Sequence, residues 1–367
     1  MNLKLLDKYI FFQVLSAGLG CIIVFMIIWI MPEIFLKTVQ RTISGDYTLE
    51  TAAAILVNEL PKVLHIAMPV GMLLGALLTF DKLSREFEIT VMRSCGFSFF
   101  RIAAPVVILS AAVSVFTLFI GAKLLPQSAC RLKEIKGSDR VTQFVFPVKK
   151  PAGNMDKIII VPHFDSESIK DAVVLNFYDE AEEGSSLLSS ILISDFVKFS
   201  GEKWTINQAK KYIISKEGIF SSVETAKDIE ILNGLSAVNA FKLMKYSVYR
   251  DRELTNSQML EYINLLKSEN MDDEYRFMLN KYIHRFVHAF MCVIFAILGC
   301  LLGFSKPREQ KVFGMLLAAG VIFGYFITIP FFDLMAEKAV LPPVIAASAA
   351  PVILIVLIAV LKKVKDL

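Results

Sequence analysis

Residues 10–31 read IFFQVLSAGLGCIIVFMIIWIM, an apolar run interrupted only by small or weakly polar side chains. A membrane-spanning helix needs roughly 20 mostly apolar residues, at about 1.5 Å each, to cross a hydrocarbon core about 30 Å thick. This run meets that length. Lys4 and Lys8 precede it as they would in a signal peptide. It is longer than the roughly 7–15 residues of a signal's apolar core, however, and no A-x-A site follows, so it reads as an uncleaved span. Five further runs qualify: about 60–80, 102–125, 283–304, 312–332 and 340–361. Pro61 and Pro69 predict a kink in the second, tolerable in lipid where neighbouring groups satisfy the freed carbonyls.

Composition points the same way. With 367 residues, 55% of them hydrophobic and 20% charged, and a mean hydropathy of +0.57, the chain is too apolar for an ordinary soluble protein. The net charge of +4 is spread along the sequence, which gives no argument for nucleic-acid binding. Five cysteines (Cys21, Cys95, Cys130, Cys292, Cys300) form no CxxC pair and read as small core residues.

Lysine and arginine near span ends set orientation. Lys4 and Lys8, then Lys82, Arg85, Arg93 and Arg101, then Lys306, Arg308 and Lys311, and finally Lys362, Lys363 and Lys365 fall on one side. The short loop 333–341 opposite has Lys338 against Asp333 and Glu337. Both termini are therefore expected in the cytoplasm, and the polar interval 126–282 outside it. Much of that interval has strand character, at 157–161, 172–178, 191–199 and 212–215. Turn signals punctuate it at Gly153-Asn154, Glu183-Gly184, Ser200-Gly201, Glu217-Gly218 and Asn233-Gly234. A sandwich or jellyroll is expected. Over 254–268 the period becomes helical, with Leu254, Met259, Ile263 and Leu266 on one face and Thr255 as N-cap. The expected architecture is an α-helical polytopic membrane protein with six transmembrane helices, three on each side of an all-β jellyroll-like domain. Its parts are 1–125 (spans 1–3), 126–252 (β domain), 253–282 (linker helix) and 283–367 (spans 4–6).

Soluble-enzyme signatures are absent: no G-x-x-x-x-G-K-[ST] loop, no G-x-S-x-G elbow, no HExxH and no zinc spacing. No catalytic role, cofactor or metal is expected. His284 and His288 stand one turn apart but lack a third ligand nearby, and read as polar residues at a span end. The span centres contain no Asp, Glu, Lys or Arg, which disfavours an ion-coupled carrier. G-x-x-x-G occurs at Gly71–Gly75, Gly299–Gly303 and Gly320–Gly324, marking packing or sliding faces.

The loop 81–101, DKLSREFEITVMRSCGFSFFR, is the most informative polar segment. A helix between Leu83 and Met92, within about 82–95, would align Leu83, Phe87 and Val91 on one face, with Gly96 ending it. Such a helix either lies in the headgroup layer or docks into a groove on a cytoplasmic partner.

The chain resembles the LptF/LptG lipopolysaccharide-export permeases over essentially its whole length. The likeness is carried by Leu6-Asp7-Lys8-Tyr9, by the paired prolines of the second span, and above all by Glu86-Phe87-Glu88-Ile89-Thr90-Val91-Met92-Arg93-Ser94-Cys95-Gly96. The β interval, the 254–268 helix and the segment 282–290 follow in the family's order. The resemblance implies a non-catalytic permease subunit of an ABC transporter in the inner membrane, with its β domain periplasmic. The loop would be the coupling helix that inserts into a separate ATPase dimer, LptB. Glu88 would transmit the movement, Arg93 would support it, and Phe87 and Val91 would anchor the helix. A homologous permease subunit would pair with the chain, the cavity between first and fifth spans would admit lipopolysaccharide, and Gly320 and Gly324 would belong to that gate. Lys37 and Arg41 would contact lipid phosphate, or serve as a generic interfacial anchor. The β-jellyroll would join an LptC/LptA-like bridge protein by strand addition. Arg285-Phe286-Val287-His288 departs from the family's Arg-Leu-Ala. The Glu-Ile-Thr-Val-Met stretch leans toward LptF. A membrane-anchored scaffold or sensor without transport is the alternative.

Overall fold

The computed structural model describes residues 5–136, 144–149, 155–161, 163–164, 169–178, 187–200, 203–215, 217–233, 237–247, 249–269, 271–304 and 312–364. Among the basic residues that bear on orientation, Lys4, Lys306, Arg308, Lys311 and Lys365 lie outside these, as do the turns Gly153-Asn154 and Glu183-Gly184 and the residues Gly201 and Gly234. By internal contacts the chain divides into a helical unit (Met1–Gly137, Asp251–Ile263 and Met271–Leu367) and a second unit holding the sheet (Ser138–Arg250 and Asn264–Asn270).

Six helices in the first unit are long and apolar enough to cross a membrane. The first is α1 (Leu5–Ile30), continued through a π-helical turn at Met31–Phe35 into α2 (Leu36–Ile43). Pro32 stands at the start of that turn. A proline lacks the N–H that would close an α turn and crowds the preceding carbonyl, so one widened turn absorbs it and the helix continues. Gly45, at φ 84°, ends α2: Gly45 N–H bonds Thr42 O and Asp46 N–H bonds Arg41 O.

Next comes α3 (Leu49–Arg85), capped by the Thr48 hydroxyl, which accepts from Thr51 N–H. It holds both Pro61 and Pro69 without a break. Then follow α4 (Glu88–Ser94), α5 (Phe99–Phe119), a second π turn (Ile120–Leu124) and α6 (Leu125–Ile135), so the third span runs past its expected end at 125. The later spans are α9 (Asp272–Gly303), α10 (Val312–Glu337) and α11 (Pro343–Val364). The fourth span begins well before 283, because Asp272, Asp273 and Glu274 stabilise a polar first turn outside the apolar stretch.

Burial separates inner helices from outer ones. The most apolar windows of α3 and α9 are 72% and 67% buried, against 22% for α1 and 17% for α10. Without a hydrophobic drive between helices in lipid, their approach depends on small residues. A Cβ on Gly299 would stand 2.4 Å from Leu73 O, and one on Gly303 2.4 Å from Leu77 O. On the other side of α3, a Cβ on Gly75 would stand 2.5 Å from Gly18 Cα. These glycines hold α9 and α1 in backbone contact with α3. Gly320 and Gly324 differ: nothing lies within 4 Å of a Cβ at either.

In the second unit the strands are β1 (Phe144–Lys149), β2 (Met155–Val161), β3 (His163–Phe164), β4 (Ile169–Phe177), β5 (Leu188–Ser200), β6 (Lys203–Ile214) and β7 (Phe220–Asn233). They pair antiparallel in one sheet of order β1-β2-β4-β5-β6-β7, with β3 added beside β4. The inserted β region is present, and its described strands form one sheet that follows chain order except at β3. Ile159, Val174 and Leu192 are opposite one another on neighbouring strands and all buried, as period-two alternation requires. The Glu217-Gly218 turn closes the β6–β7 hairpin with Gly218 at φ 78°. The unit also holds α7 (Ala237–Ser247).

The helix α8 (Asn256–Ser268) contributes residues to both units. Thr255 Oγ1 accepts from Gln258 N–H at 3.4 Å, and Gln258 Oε1 accepts from Thr255 N–H at 2.9 Å. That reciprocal pair is a capping box. Leu254, Met259, Ile263 and Leu266 are buried, as their spacing predicts.

Candidate coupling site

The loop 81–101 folds as two helices instead of one. α3 ends at Arg85, and Phe87 takes φ 61°, the left-handed conformation in which glycine usually terminates a helix. Holding a non-glycine residue there costs about 1–2 kcal/mol. Burying Ile89 and Met92 against the bundle offsets it, at about 1.5–3 kcal/mol for a fully buried side chain of this size. The reversal changes the expected faces. Leu83 is buried as part of α3, whereas Phe87 and Val91 point away from the bundle, 57% and 60% exposed. Phe87 is therefore the corner before α4 and not a middle residue of one long helix. Gly96, at φ 88°, ends α4 with Gly96 N–H on Arg93 O and Phe97 N–H on Met92 O. The Ser98 hydroxyl then caps α5 by accepting from Arg101 N–H.

Polar contacts fix α4 in place. Glu88 Oε1 accepts from the Tyr9 hydroxyl of α1 at 3.1 Å. The Arg93 guanidinium lies 5.6 Å from the centre of the Phe304 ring, a cation–π contact that also covers the end of α9. Arg101, in the first turn of α5, grips the buried Asp7 with a fork of 2.8 and 2.7 Å. Spacing alone does not reveal these ties, since the partners are 79 and 94 positions apart.

The other expected site residues lie elsewhere. Lys37 and Arg41 are one turn apart on exposed α2, and Arg41 is engaged by Tyr47, donating to its hydroxyl with the ring centre 5.4 Å away. Gly320 and Gly324 line a groove of about 290 Å³ with Leu317, Val321, Leu354 and Leu357. The structure therefore brings Glu88, Arg93, Phe87 and Val91 together at one end of the bundle, and the lysine–arginine pair and the glycine groove at separate places.

His284 and His288 have distinct partners. His284 Nε2 is 2.8 Å from Asp333 Oδ1, an oxygen that also accepts from Asn280 Nδ2, while Lys281 Nζ donates to Asp333 Oδ2. His288 joins His65 O on α3 to the Tyr325 hydroxyl on α10. Arg285 donates to Asp251 O, Leu254 O and Asn256 Oδ1, holding the segment before α8 against α9. His284, His288, Arg285 and Asp333 border a cavity of about 360 Å³ to which Lys62, Arg252 and Lys281 add positive charge and Asp251 negative. Reading the sequence alone did not assemble this cavity. Three of the chain's four histidines, all in apolar runs, were the available signal.

The model of the family described as "Lipopolysaccharide export system permease LptF/LptG" matches residues 8–363. The LptG permease protein of Haemophilus influenzae is 22% identical over 271 residues, covering 73% of each chain. The LptF permease protein of Escherichia coli K12 is 21% identical over 233 residues, covering 61% of this chain and 60% of that one. With six apolar helices, an inserted antiparallel sheet and a family match from end to end of the described helices, the chain belongs to the LptF/LptG family of lipopolysaccharide export system permeases.

Proposed function

We propose that this permease is driven by a separate cytoplasmic ATPase dimer that docks on α4, and that it moves lipopolysaccharide out of the inner membrane toward a periplasmic bridge protein. The observation that carries this reading is the outward pair formed by Phe87, at the corner before α4, and Val91, on that short helix, which is otherwise pinned to the bundle. An exposed aromatic and aliphatic pair one turn apart is what a helix lays into a partner's groove. The chain has no phosphate-cradling loop of its own, so the energy enters through that contact. Lysine and arginine near the span ends support an orientation with α4 and both termini on the cytoplasmic side and the β domain on the periplasmic side. A homologous permease subunit supplies the other half of the lipid cavity, and the open Gly320–Gly324 groove contributes to the gate. On the periplasmic side Lys37 and Arg41, one turn apart, offer charge to lipid phosphates, Arg by a fork and Lys as a point charge. An edge of the sheet, with its unpaired backbone groups, receives a strand of the bridge protein.

Two variants test the docking and the coupling separately. Val91→Asp places a charge where an apolar side chain enters the groove, and should weaken co-purification of the ATPase by at least about tenfold while the isolated subunit melts unchanged. Undiminished association would remove α4 from the interface. Glu88→Ala should leave the ATPase bound but cut lipopolysaccharide release from reconstituted vesicles. If both binding and release are unchanged, the coupling role of Glu88 is wrong, and a scaffold or sensor without transport becomes the better reading.

A further inference from the structure

Glu88 reaches α1 by a direct bond. Tyr9 donates its hydroxyl to Glu88 Oε1 at 3.1 Å, and two positions earlier on the same helix Asp7 takes the fork of Arg101 at 2.7 and 2.8 Å. Residues two apart on an α-helix point about 200° apart, so the segment around α4 holds the first turns of α1 on two sides. Farther along, α1 packs on α3 with the Gly18 backbone against Gly75 and the Ile22 side chain seated where Gly71 leaves room. Beyond it, α1 runs on through its π turn into α2 as one rod, about 40 Å from Tyr9 to Lys37 at 1.5 Å per residue. On the way Trp29 lies 5.8 Å from Phe326 of α10, between ring centres.

We propose that Tyr9 is the positioning residue through which movement of α4 passes to the first span, so that Glu88 acts on α1 inside the permease as well as on the docking surface. The proposal rests on the coupling role given to Glu88 above. The Tyr9 hydroxyl makes the displacement of a short surface helix pull on a rod whose far end carries Lys37 and Arg41. The bond is to a carboxylate and is a direct side-chain tie between α4 and α1. Losing it leaves the aromatic ring and its packing in place.

The complete complex, reconstituted in vesicles containing lipopolysaccharide with a periplasmic acceptor, tests this through lipid released per ATP hydrolysed. Tyr9→Phe should lower that ratio about fivefold, within what one hydrogen bond to a charged group supports, while ATP hydrolysis itself continues. Added to Glu88→Ala, it should lower the ratio no further, because the bond is already gone. An unchanged ratio for Tyr9→Phe, or effects that multiply in the double variant, overturns the proposal and leaves the role of Glu88 standing. If Glu88→Ala alone is harmless, the parent reading falls and this one with it. A second arm covers poor assembly of Tyr9→Phe: Tyr9→Cys and Glu88→Cys, in a Cys95→Ser background, are joined by a short thiol cross-linker. Release that persists across the cross-link supports the two moving as one. Release that stops on cross-linking overturns it.

Discussion

Gly299→Leu should prevent the helix bundle from folding, whereas Gly320→Leu should be tolerated. The two positions look alike in sequence, each opening a G-x-x-x-G inside an apolar run. In the structure a Cβ on Gly299 would stand 2.4 Å from Leu73 O and 2.9 Å from Ala76 Cβ, while one on Gly320 meets nothing within 4 Å. A carbonyl oxygen cannot swing aside as a side-chain tip can, so α9 would have to leave α3. Those are the two most buried spans, and their separation would undo contacts along their shared length. Overpacking that side chains can absorb costs about 1–3 kcal/mol. A displaced backbone costs more, and lipid-embedded helices have no hydrophobic drive to bring them back. Size exclusion in mild detergent should show a monodisperse peak for the parent chain and for Gly320→Leu, and aggregate or no recoverable protein for Gly299→Leu. A Gly299→Leu chain that elutes and melts like the parent would contradict the packing described for α3 and α9.

That contrast marks how far sequence reading reaches. Six spans and an inserted strand domain follow from local quantities, the length of apolar runs and alternation of period two. The cap and buried face of α8 were legible, because a Thr-x-x-Gln cap and four buried apolar positions are local too. Helix ends were not. α3 starts at Leu49 and α9 at Asp272, since a helix that continues into polar surroundings leaves no mark in hydropathy. β7 escaped for a related reason. Its sequence FSSVETAKDIEILN carries charges at positions that alternate poorly, as suits a strand at the edge of the sheet formed by the described residues. At the coupling site Glu88, Phe87 and Val91 could be picked out by pattern, but not the faces they occupy. The left-handed turn at Phe87 reverses the chain, and no propensity argument puts an aromatic residue there. Tyr9 and Glu88 meet across 79 positions, a pairing that only the packing of α1 on α3 brings about.

One long-range pairing was half visible in the sequence, and it carries the second large prediction: His288→Phe should destabilise the subunit by about 2–5 kcal/mol, the cost of leaving two buried polar groups without partners. Pro69 has no N–H, so the carbonyl four residues before it, His65 O, has no helical partner inside the span. A bare carbonyl in the bilayer must find another donor. His288 Nε2 lies 2.9 Å from that oxygen, and Nδ1 lies 3.0 Å from the Tyr325 hydroxyl. Because a carbonyl only accepts, Nε2 carries the proton, and Nδ1 accepts from Tyr325. One imidazole thus satisfies α3, receives α10 and holds both to α9. Phenylalanine keeps a ring of similar size and removes both bonds. Tyr325→Phe, which removes only the second, should cost about 1 kcal/mol. The discriminating variant is Pro69→Ala, which restores an N–H to His65 O within α3. In that background His288→Phe should lose only the share due to Tyr325, and the difference between the two backgrounds measures the carbonyl's need for a partner. Unfolding in detergent, followed for the four chains, gives that difference. If His288→Phe costs the same in the parent chain as in the Pro69→Ala background, the histidine is not what compensates the proline, and α3 satisfies that carbonyl in some other way.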